Sequence, residues 1–292
     1  MNKVLLGSHV RMTGPEYFLG SVKEAISYNA TALMFYTGAP QNSARVPLEH
    51  CKLEEAKNLL NENGFTKSQI ICHAPYLINL ANIIKKENFE MSLKMLINEM
   101  ARAEAFGAGV IVLHPGSSLG EDKNTVIEQV ILGLNTALSK TKNIKIAIET
   151  MAGKGNEVCS NFSDIGYIIS KIEDKERIGV CLDTCHIHDA GYDLNHYEDI
   201  IASINSSFGI DKVLVIHLND SKNLINSHKD RHENIGFGDI GFDILHKILF
   251  DERFENAPKI LETPYFNDKP PYKNEIEMLL DGNFNKDLFK NY

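Results

Sequence analysis

Short apolar runs rich in β-branched residues recur along the chain and alternate with longer amphipathic stretches. Most of these runs are hydrophobic at consecutive positions, as is typical of strands buried on both faces of a sheet. Eight runs are present, at residues 3–9, 31–37, 69–75, 110–116, 144–150, 178–184, 213–220 and 259–264. The pattern therefore predicts eight β-strands.

The stretches between the runs predict helices. Residues 90–109 are an example, because a glycine stop at Gly107 follows apolar side chains at helical spacing, namely Leu93, Leu96, Ile97 and Met100. Alternation of strand and helix implies βαβ units and a parallel sheet. Eight such units in about 250 residues predict an α/β fold of the (β/α)8 TIM-barrel type. No linker or repeat divides the chain, so one domain over residues 1–292 is predicted, and a doubly wound sheet is the alternative.

A polar residue stands at or just after the end of each predicted strand. These residues are His9, Tyr36, His73, His114, Glu149, Asp183, His217 and Glu262. In a barrel the carboxyl ends of the strands converge on one site, so we expect the side chains to meet. Carboxylates this close repel one another unless a cation lies between them. Imidazole and carboxylate donors without a required thiolate favour a multinuclear Zn or Mn centre with open positions.

Two further segments add candidate ligands. His186 lies three residues after Asp183, where we expect the strand to turn into a loop. Asp230 and His232 lie two residues apart in a predicted loop after the seventh strand, and their side chains face the same way if that stretch is locally extended. Together these two histidines and one carboxylate form a plausible ligand set for a separate ion.

The segment VCLDTCH, residues 180–186, also contains two cysteines. Cys181 and Cys185 have three residues between them, whereas redox motifs and zinc knuckles have two, and no second cysteine pair completes a thiolate zinc site. Cys181 shares strand parity with Asp183, so we expect it to point into the barrel as a small buried side chain. A nucleophilic Cys185 with His186 or His188 as its base remains the alternative.

Composition limits the classes of protein that this chain can represent. The formal net charge of −9 argues against nonspecific binding to polyanions, although bound divalent cations can offset a carboxylate-rich pocket. The chain has no run of 18 apolar residues and no secretory leader pattern, so no membrane association is expected. Five scattered cysteines are typical of a reducing cytoplasm. Nothing indicates an obligate protein partner, and a monomer is expected.

Seven segments resemble the signature segments of the endonuclease IV family, the apurinic/apyrimidinic (AP) endonucleases of base-excision repair. They are CHAPYLINLAN (72–82), VLHPGS (112–117), AIETMAGKG (147–155), VCLDTCHIHDAGYD (180–193), HLNDSK (217–222), KDRHENIGFGDIG (229–241) and ILETP (260–264). They occur in order over about two thirds of the chain. The combination of DTCH, DRH and the strand-end series is more specific than any single segment.

The resemblance implies a TIM barrel that carries three Zn²⁺ ions, with Mn²⁺ possible at one or more sites. Carried over by position, one zinc is held by His73, His114 and Glu149, and a second by the bridging Glu149 with Asp183, His217 and Glu262. The third is held by His186, Asp230 and His232. The implied reaction is hydrolysis of the phosphodiester 5′ to an abasic site, which leaves a 3′-hydroxyl and a 5′-deoxyribose phosphate, and removal of 3′-blocking groups. Glu149 is then also the catalytic residue that helps to position hydroxide.

The implied partner is duplex DNA with abasic sites. Tyr76 matches a family tyrosine near the extruded nucleotide. The loop 36–47 corresponds to the loop in which family members have the residues that enter the duplex. Some family members have Arg-Gln-Trp in that loop, whereas this chain offers Gln41, Asn42 and Arg45. His9 is a further candidate for substrate contact.

Two rival interpretations remain. A sugar isomerase or epimerase on the same barrel needs only Glu149, Asp183, His217 and Glu262 around one divalent ion. A nonenzymatic zinc-stabilised binding module predicts closed and saturated coordination.

Overall fold

Eight parallel strands close into a barrel in the computed structural model, which describes residues 4–290. Position 3 of the first predicted strand, and residues 1–3 and 291–292 of the predicted domain, lie outside the described residues. The barrel strands, in their order around the barrel, are β1 (Leu6–His9), β2 (Ala32–Phe35), β3 (Ile70–His73), β4 (Val110–Leu113), β5 (Lys145–Glu149), β6 (Ile178–Asp183), β7 (Val213–His217) and β10 (Lys259–Leu261). The predicted (β/α)8 barrel is confirmed.

Helices follow every barrel strand, and the apolar side chains of the longer ones pack against the outside of the sheet. They are α1 (Phe18–Ser27), α2 (Leu53–Glu62), α3 (Lys86–Ala105), α4 (Lys123–Ser139), α5 (Phe162–Lys171), α6 (Thr184–Asp189), α7 (Tyr197–Ser207), α8 (Phe242–Leu249) and α9 (Tyr272–Asp281). The helix predicted within residues 90–109 is confirmed as α3, and Gly107 follows it at a positive φ of 88°. No helix within residues 4–290 has both the length and the apolar character to cross a membrane.

The apolar core has two layers, as strand periodicity requires. One layer fills the space between the sheet and the helices and includes Val180 and Leu182 of β6. The other fills the inside of the barrel with side chains of alternate parity, namely Ala32, Met34, Ile71, Val110, Val112, Ala147, Cys181, Val215 and Ile260. The prediction that Cys181 points into the barrel is confirmed, and this packed interior closes the barrel below its carboxyl-terminal mouth.

The structure differs from the prediction in the two segments that follow β6 and β7. His186 lies in the short helix α6 and not in a loop, because the Asp183 side chain accepts a hydrogen bond from the His186 amide at 2.8 Å and caps the helix. After β7, the two-residue strands β8 (Asp220–Ser221) and β9 (His232–Glu233) pair antiparallel and bring the chain back towards the mouth. Asp230 has a φ of 56°, so a locally extended chain is wrong at that position.

Candidate metal centre

All of the predicted strand-end residues lie at the carboxyl-terminal mouth of the barrel. His9, His73, Glu149, Asp183 and His217 are the last residues of their strands, and the other three follow directly. A cavity of about 590 Å³ opens there, lined by His9, Tyr36, Pro40, Gln41, His73, Tyr76, His114, Glu149, Glu157, His186, Asp230, His232, Glu262 and Tyr272. The barrel topology thus assembles side chains that are up to 253 positions apart, from His9 to Glu262.

Glu149 occupies the centre of the first group of ligands, His73, His114 and Glu149, which we call the first set. Its Oε2 atom lies 3.1 Å from His73 Nε2 and 2.9 Å from His114 Nε2. The Glu149 side chain is 1% exposed. Its other oxygen, Oε1, lies 3.0 Å from His217 Nδ1, so one carboxylate joins this set to the next.

The second set comprises Glu149, Asp183, His217 and Glu262. Three carboxylates converge on His217 Nδ1, with Glu149 Oε1 and Glu262 Oε2 each at 3.0 Å and Asp183 Oδ2 at 3.7 Å. Ligand atoms of these four residues all lie within 4.8 Å of one another. A single imidazole offers only one charge to three carboxylates, so the second set has an excess of negative charge that suits a divalent cation.

The third set comprises His186, Asp230 and His232. Asp230 Oδ1 lies 3.1 Å from His186 Nε2 and 3.7 Å from His232 Nε2. Asp183 Oδ2 also lies 3.7 Å from His232 Nε2, and Asp183, His186 and His232 form a mutually close group of ligand atoms. Asp183 therefore stands between the second and third sets.

Hydrogen bonds to backbone carbonyls orient three of the imidazoles. Nδ1 donates to a carbonyl oxygen at 2.7 Å in His73, at 2.8 Å in His186 and at 3.2 Å in His232. Because a carbonyl can only accept, Nδ1 carries a proton in each ring, and Nε2 is the nitrogen that faces the carboxylates of the site. This is the usual arrangement of a histidine that ligates a metal.

Buried side chains that the prediction missed hold the carboxylates in place. Asn219 donates from Nδ2 to Asp183 Oδ2 at 2.8 Å and accepts from the Glu262 amide at 2.8 Å. The Thr150 hydroxyl accepts from the Asp183 amide at 3.0 Å. Asn219 lies two residues after His217, and Thr150 lies directly after Glu149. This closeness to a predicted ligand was the feature of the sequence from which both could have been found.

The electrostatics of the site are dominated by mutual stabilisation of acids and imidazoles. Burial alone raises the pKa of Glu149, but His114 and His217 outweigh it and hold that pKa well below its ordinary value. Burial alone lowers the pKa of His186, but Asp183 and the hydrogen-bonded Asp230 outweigh it and raise that pKa well above its ordinary value. The carboxylates therefore stay ionised and attract positive charge into the mouth.

The donor set fits divalent metal ions. Every group supplies imidazole nitrogen and carboxylate oxygen, the donors that zinc and manganese accept. His232 Nε2 is buried and makes no hydrogen bond within residues 4–290, although it faces carboxylates of Asp183 and Asp230. An orphaned ring nitrogen directed at acidic oxygens is the expected geometry of a ligand atom. The cavity at the mouth also argues against a closed, purely structural site.

Cys181 and Cys185 lie beside this centre without matching the chemistry of a ligand or nucleophile. All five cysteines of the chain are free and buried. Burial raises the pKa of the Cys181 thiol to about 12, although this thiol lies close to Glu149 and His217. Burial also raises the pKa of Cys185, and the nearby Asp183 adds to that effect. A protonated, buried thiol is a poor nucleophile and a poor metal ligand, which disfavours the nucleophilic interpretation.

The residues predicted to contact DNA are placed in different environments. Tyr76 is 53% exposed, and its hydroxyl lies 2.7 Å from that of Tyr36. Gln41 and His9 line the cavity, and burial lowers the pKa of His9 to about 4. Asn42 is exposed, and its side chain accepts from the amide of Ala44 within its own loop.

Arg45, which is also predicted to contact DNA, is turned inwards. Its Nε atom lies 2.6 Å from Glu99 Oε1 of α3, and Nη1 donates to the carbonyls of Asn42 and Ala44. The side chains of Arg45 and Glu99 are only 10% and 4% exposed. A buried carboxylate needs a charged partner, so the guanidinium holds the loop against α3.

The sequence interpretation also missed three residues that line the cavity, Pro40, Glu157 and Tyr272. Burial raises the pKa of Glu157, although its carboxylate accepts a hydrogen bond from the Lys154 amide at 2.9 Å. None of the three ends a barrel strand, so strand-end counting could not find them.

Comparisons with known proteins agree with the geometry. The family model described as "Xylose isomerase-like TIM barrel" matches residues 22–281. A D-tagatose 3-epimerase-like protein shares the fold alone, with a TM-score of 0.70 at 16% identity over 94% of this chain and 96% of that one. The fold and the site thus define a xylose isomerase-like TIM barrel with a candidate metal centre at its mouth.

Two further comparisons narrow this class. The chain is 51% identical over 290 residues to "Probable endonuclease 4" of Mesoplasma florum, covering 98% of this chain and 99% of the relative. The crystal structure of endonuclease IV from Thermus thermophilus superposes with a TM-score of 0.83 at 27% identity, covering 95% of this chain and 99% of that chain. The chain belongs to the endonuclease IV family. The predicted resemblance and the prediction of an endonuclease are confirmed.

Proposed function

We propose that this protein is a zinc-dependent AP endonuclease of base-excision repair. It hydrolyses the phosphodiester 5′ to abasic sites in duplex DNA, leaves a 3′-hydroxyl and a 5′-deoxyribose phosphate, and also removes 3′-blocking groups. The observation that carries the proposal is the convergence of nine His, Asp and Glu side chains in three linked sets at the mouth of the barrel. Membership of the endonuclease IV family supports it.

The three sets would hold three Zn²⁺ ions, and Mn²⁺ can replace zinc at one or more of them. Bound zinc lowers the pKa of water towards neutrality and stabilises negative charge on phosphate oxygens. The chain supplies the geometry of this reaction. Glu149 joins the first and second sets through its two oxygens, and Asp183 stands between the second and third. One phosphodiester can therefore be held against all three sets at once.

Individual residues of the chain have distinct roles in this proposal. Glu149, ionised at neutral pH because His114 and His217 lower its pKa, orients the attacking hydroxide. The hydrogen bonds of Asn219 fix the orientation of Asp183, so little reorganisation is needed during the reaction. No protein nucleophile takes part, in agreement with the buried, protonated Cys185.

The substrate would be recognised at the rim of the cavity. Tyr76 is an exposed aromatic side chain beside His73 and His114, with ring centroids 5.8 Å and 5.2 Å away. An aromatic group in that place can stack against an extruded or flanking nucleotide. His9 is neutral at physiological pH and would contact the sugar or support Glu262. Five free cysteines support a cytoplasmic location.

The test is metal analysis of the purified protein followed by incubation with a labelled duplex that contains one tetrahydrofuran abasic analogue. We expect about three zinc ions per chain, one incision 5′ to the analogue, no incision of the undamaged duplex, loss of activity on chelation and recovery with added Zn²⁺. One metal ion per chain together with ketose–aldose interconversion would instead establish the sugar isomerase. Bound zinc without either activity would establish the binding module.

A further inference from the structure

Asp189, the last residue of α6, is a buried carboxylate without a part in the proposed reaction. It lies three residues after His186, so both side chains project from neighbouring positions on the helix. We propose that Asp189 is a positioning residue that sets the place of Asp230 opposite His186 and thereby determines the affinity of the third set for its cation. This inference rests on the proposed function, which assigns a cation to that set.

The hydrogen bonds of Asp189 connect α6 to the segment that carries Asp230. Its Oδ2 atom accepts from the amide of Asp230 at 2.9 Å and from Asn223 Nδ2 at 3.1 Å. Its Oδ1 atom accepts from the Ser221 hydroxyl at 2.7 Å. Asp189 is 0% exposed, so these three protein donors replace water around the carboxylate.

The same residue holds the backbone of this segment in an unusual conformation. His228 and Asp230 have φ values of 53° and 56°, in the left-handed region that side chains disfavour. The Asp189 carbonyl accepts from the His228 amide at 3.0 Å, and the Asp189 carboxylate accepts from the Asp230 amide. Both left-handed residues are therefore held by one residue of α6, and removal of the Asp189 carboxylate takes away the hydrogen bond that holds the left-handed Asp230.

The consequence for the third set follows from the position of α6. Asp183 caps the start of this helix and fixes His186, while Asp189 at its end fixes Asp230. The two ends of one six-residue helix therefore hold both partners of the 3.1 Å contact between His186 Nε2 and Asp230 Oδ1. The first and second sets contain no residue that Asp189 contacts, so its effect should be confined to the third.

The experiment compares zinc binding by the wild-type protein and its Asp189→Ala variant, by competition titration with a chromophoric chelator. We expect three zinc ions in the wild type. In Asp189→Ala we expect two tight sites and a third whose dissociation constant rises about 10- to 100-fold, the usual effect of removing a group that orients a ligand. Cobalt substitution provides a second readout, since the visible absorption of the third cobalt ion should appear only at a correspondingly higher cobalt concentration.

Two variants separate positioning from a general loss of stability. Asp189→Asn should bind the third zinc within about threefold of the wild type, because its amide oxygen can accept from Asp230 while its NH₂ group donates to Ser221. In Asp189→Ser the side chain is too short to reach the Asp230 amide, so this variant should also weaken the third site. It replaces Asp189→Ala in the experiment if Asp189→Ala does not fold. Asp251→Ala is the matched control. The Asp251 side chain is 7% exposed and accepts a hydrogen bond from the Tyr197 hydroxyl at 2.8 Å, and Asp251 precedes β10 at the opposite end of the barrel.

The outcomes are distinguishable. Wild-type binding of three zinc ions, with unchanged affinity of the third in Asp189→Ala or Asp189→Ser, overturns the role of Asp189 and leaves the proposed function standing. Equal weakening in Asp251→Ala also overturns it, because the effect is then not specific to the third set. A wild-type protein without a third zinc overturns both proposals.

Discussion

The substitution Glu149→Gln exchanges one carboxylate oxygen for an NH₂ group at the junction of the first and second sets, with almost no change of volume. Oε2 lies near two imidazole nitrogens, at 3.1 Å in His73 and 2.9 Å in His114, and Oε1 lies 3.0 Å from His217 Nδ1. Whichever way the amide turns, its NH₂ group faces an imidazole nitrogen in place of an oxygen, and the shared negative charge is lost.

The expected loss follows from these contacts. A hydrogen bond to a charged group contributes about 1.5–3 kcal/mol, so loss of one contact lowers the affinity of a ligand set by about tenfold or more. The Glu149 carboxylate belongs to both the first and the second set, so each of the two sets should lose at least about tenfold in affinity for its metal ion. We therefore expect incision to fall by at least about 100-fold.

The assay is the initial rate of incision of a 5′-labelled duplex with a single tetrahydrofuran site, with zinc content measured on the same preparation. Circular dichroism should show an intact barrel. Cys185→Ser is the control, because Cys185 is buried beside the site without contributing a ligand, and it should keep activity within about threefold of the wild type. Near-normal incision by Glu149→Gln, or equal inactivity of Cys185→Ser, would refute the assignment of the chemistry to the oxygen and nitrogen donors.

Three further predictions concern residues around the site and below it. Tyr76→Ala should raise KM for the abasic duplex by about tenfold with little change in kcat, since stacking on one base contributes about 1–3 kcal/mol, whereas Tyr76→Phe should resemble the wild type in steady-state kinetics. Arg45→Met should lower the free energy of unfolding in urea by about 3 kcal/mol, because it leaves Glu99 buried without its charged partner. Glu99→Gln in the same chain should restore part of that loss, and an unchanged urea midpoint would contradict the inward placement of Arg45. Burial lowers the pKa of Lys259 to about 8, so the native state of the wild type binds fewer protons than the unfolded state between about pH 8 and 10.5 and loses stability as pH falls through that window. Lys259→Met lacks this dependence and should gain up to about 3 kcal/mol relative to the wild type on going from pH 10.5 to pH 8; parallel pH profiles in urea unfolding would contradict the shift.

The rival sugar isomerase uses the same barrel and a subset of the same ligands. The structure brings His73 and His114 to Glu149, and it brings His186 and His232 to Asp230 and Asp183. The site therefore has more ligand atoms than a single metal ion needs. The likeness to a D-tagatose 3-epimerase-like protein shows the fold alone. The additional histidines are therefore the feature that distinguishes the two enzymes most directly.

The sequence by itself determined the alternation of strands and helices and the identity of the strand-end side chains, and it favoured a barrel over a doubly wound sheet. Continuous apolar runs of this length are typical of strands buried on both faces, and alternation with helices indicates that those strands are parallel. Parallel strands in a barrel have their carboxyl ends at one mouth, so His73, Glu149 and Asp183 had to meet there. Parity within β6 likewise placed Cys181 inside the barrel.

Only the tertiary structure decided how the segments beyond the strands are arranged. The cap of α6 by Asp183, the inward turn of Arg45 and the left-handed Asp230 each depend on hydrogen bonds between residues that an apolar pattern does not relate. Asp189 shows the reason most clearly. Its role comes from a hydrogen bond donated by the Asp230 amide, 41 positions away, and this contact exists only once the chain has folded. Hydrophobic periodicity, in contrast, depends only on residues that are close together in the sequence.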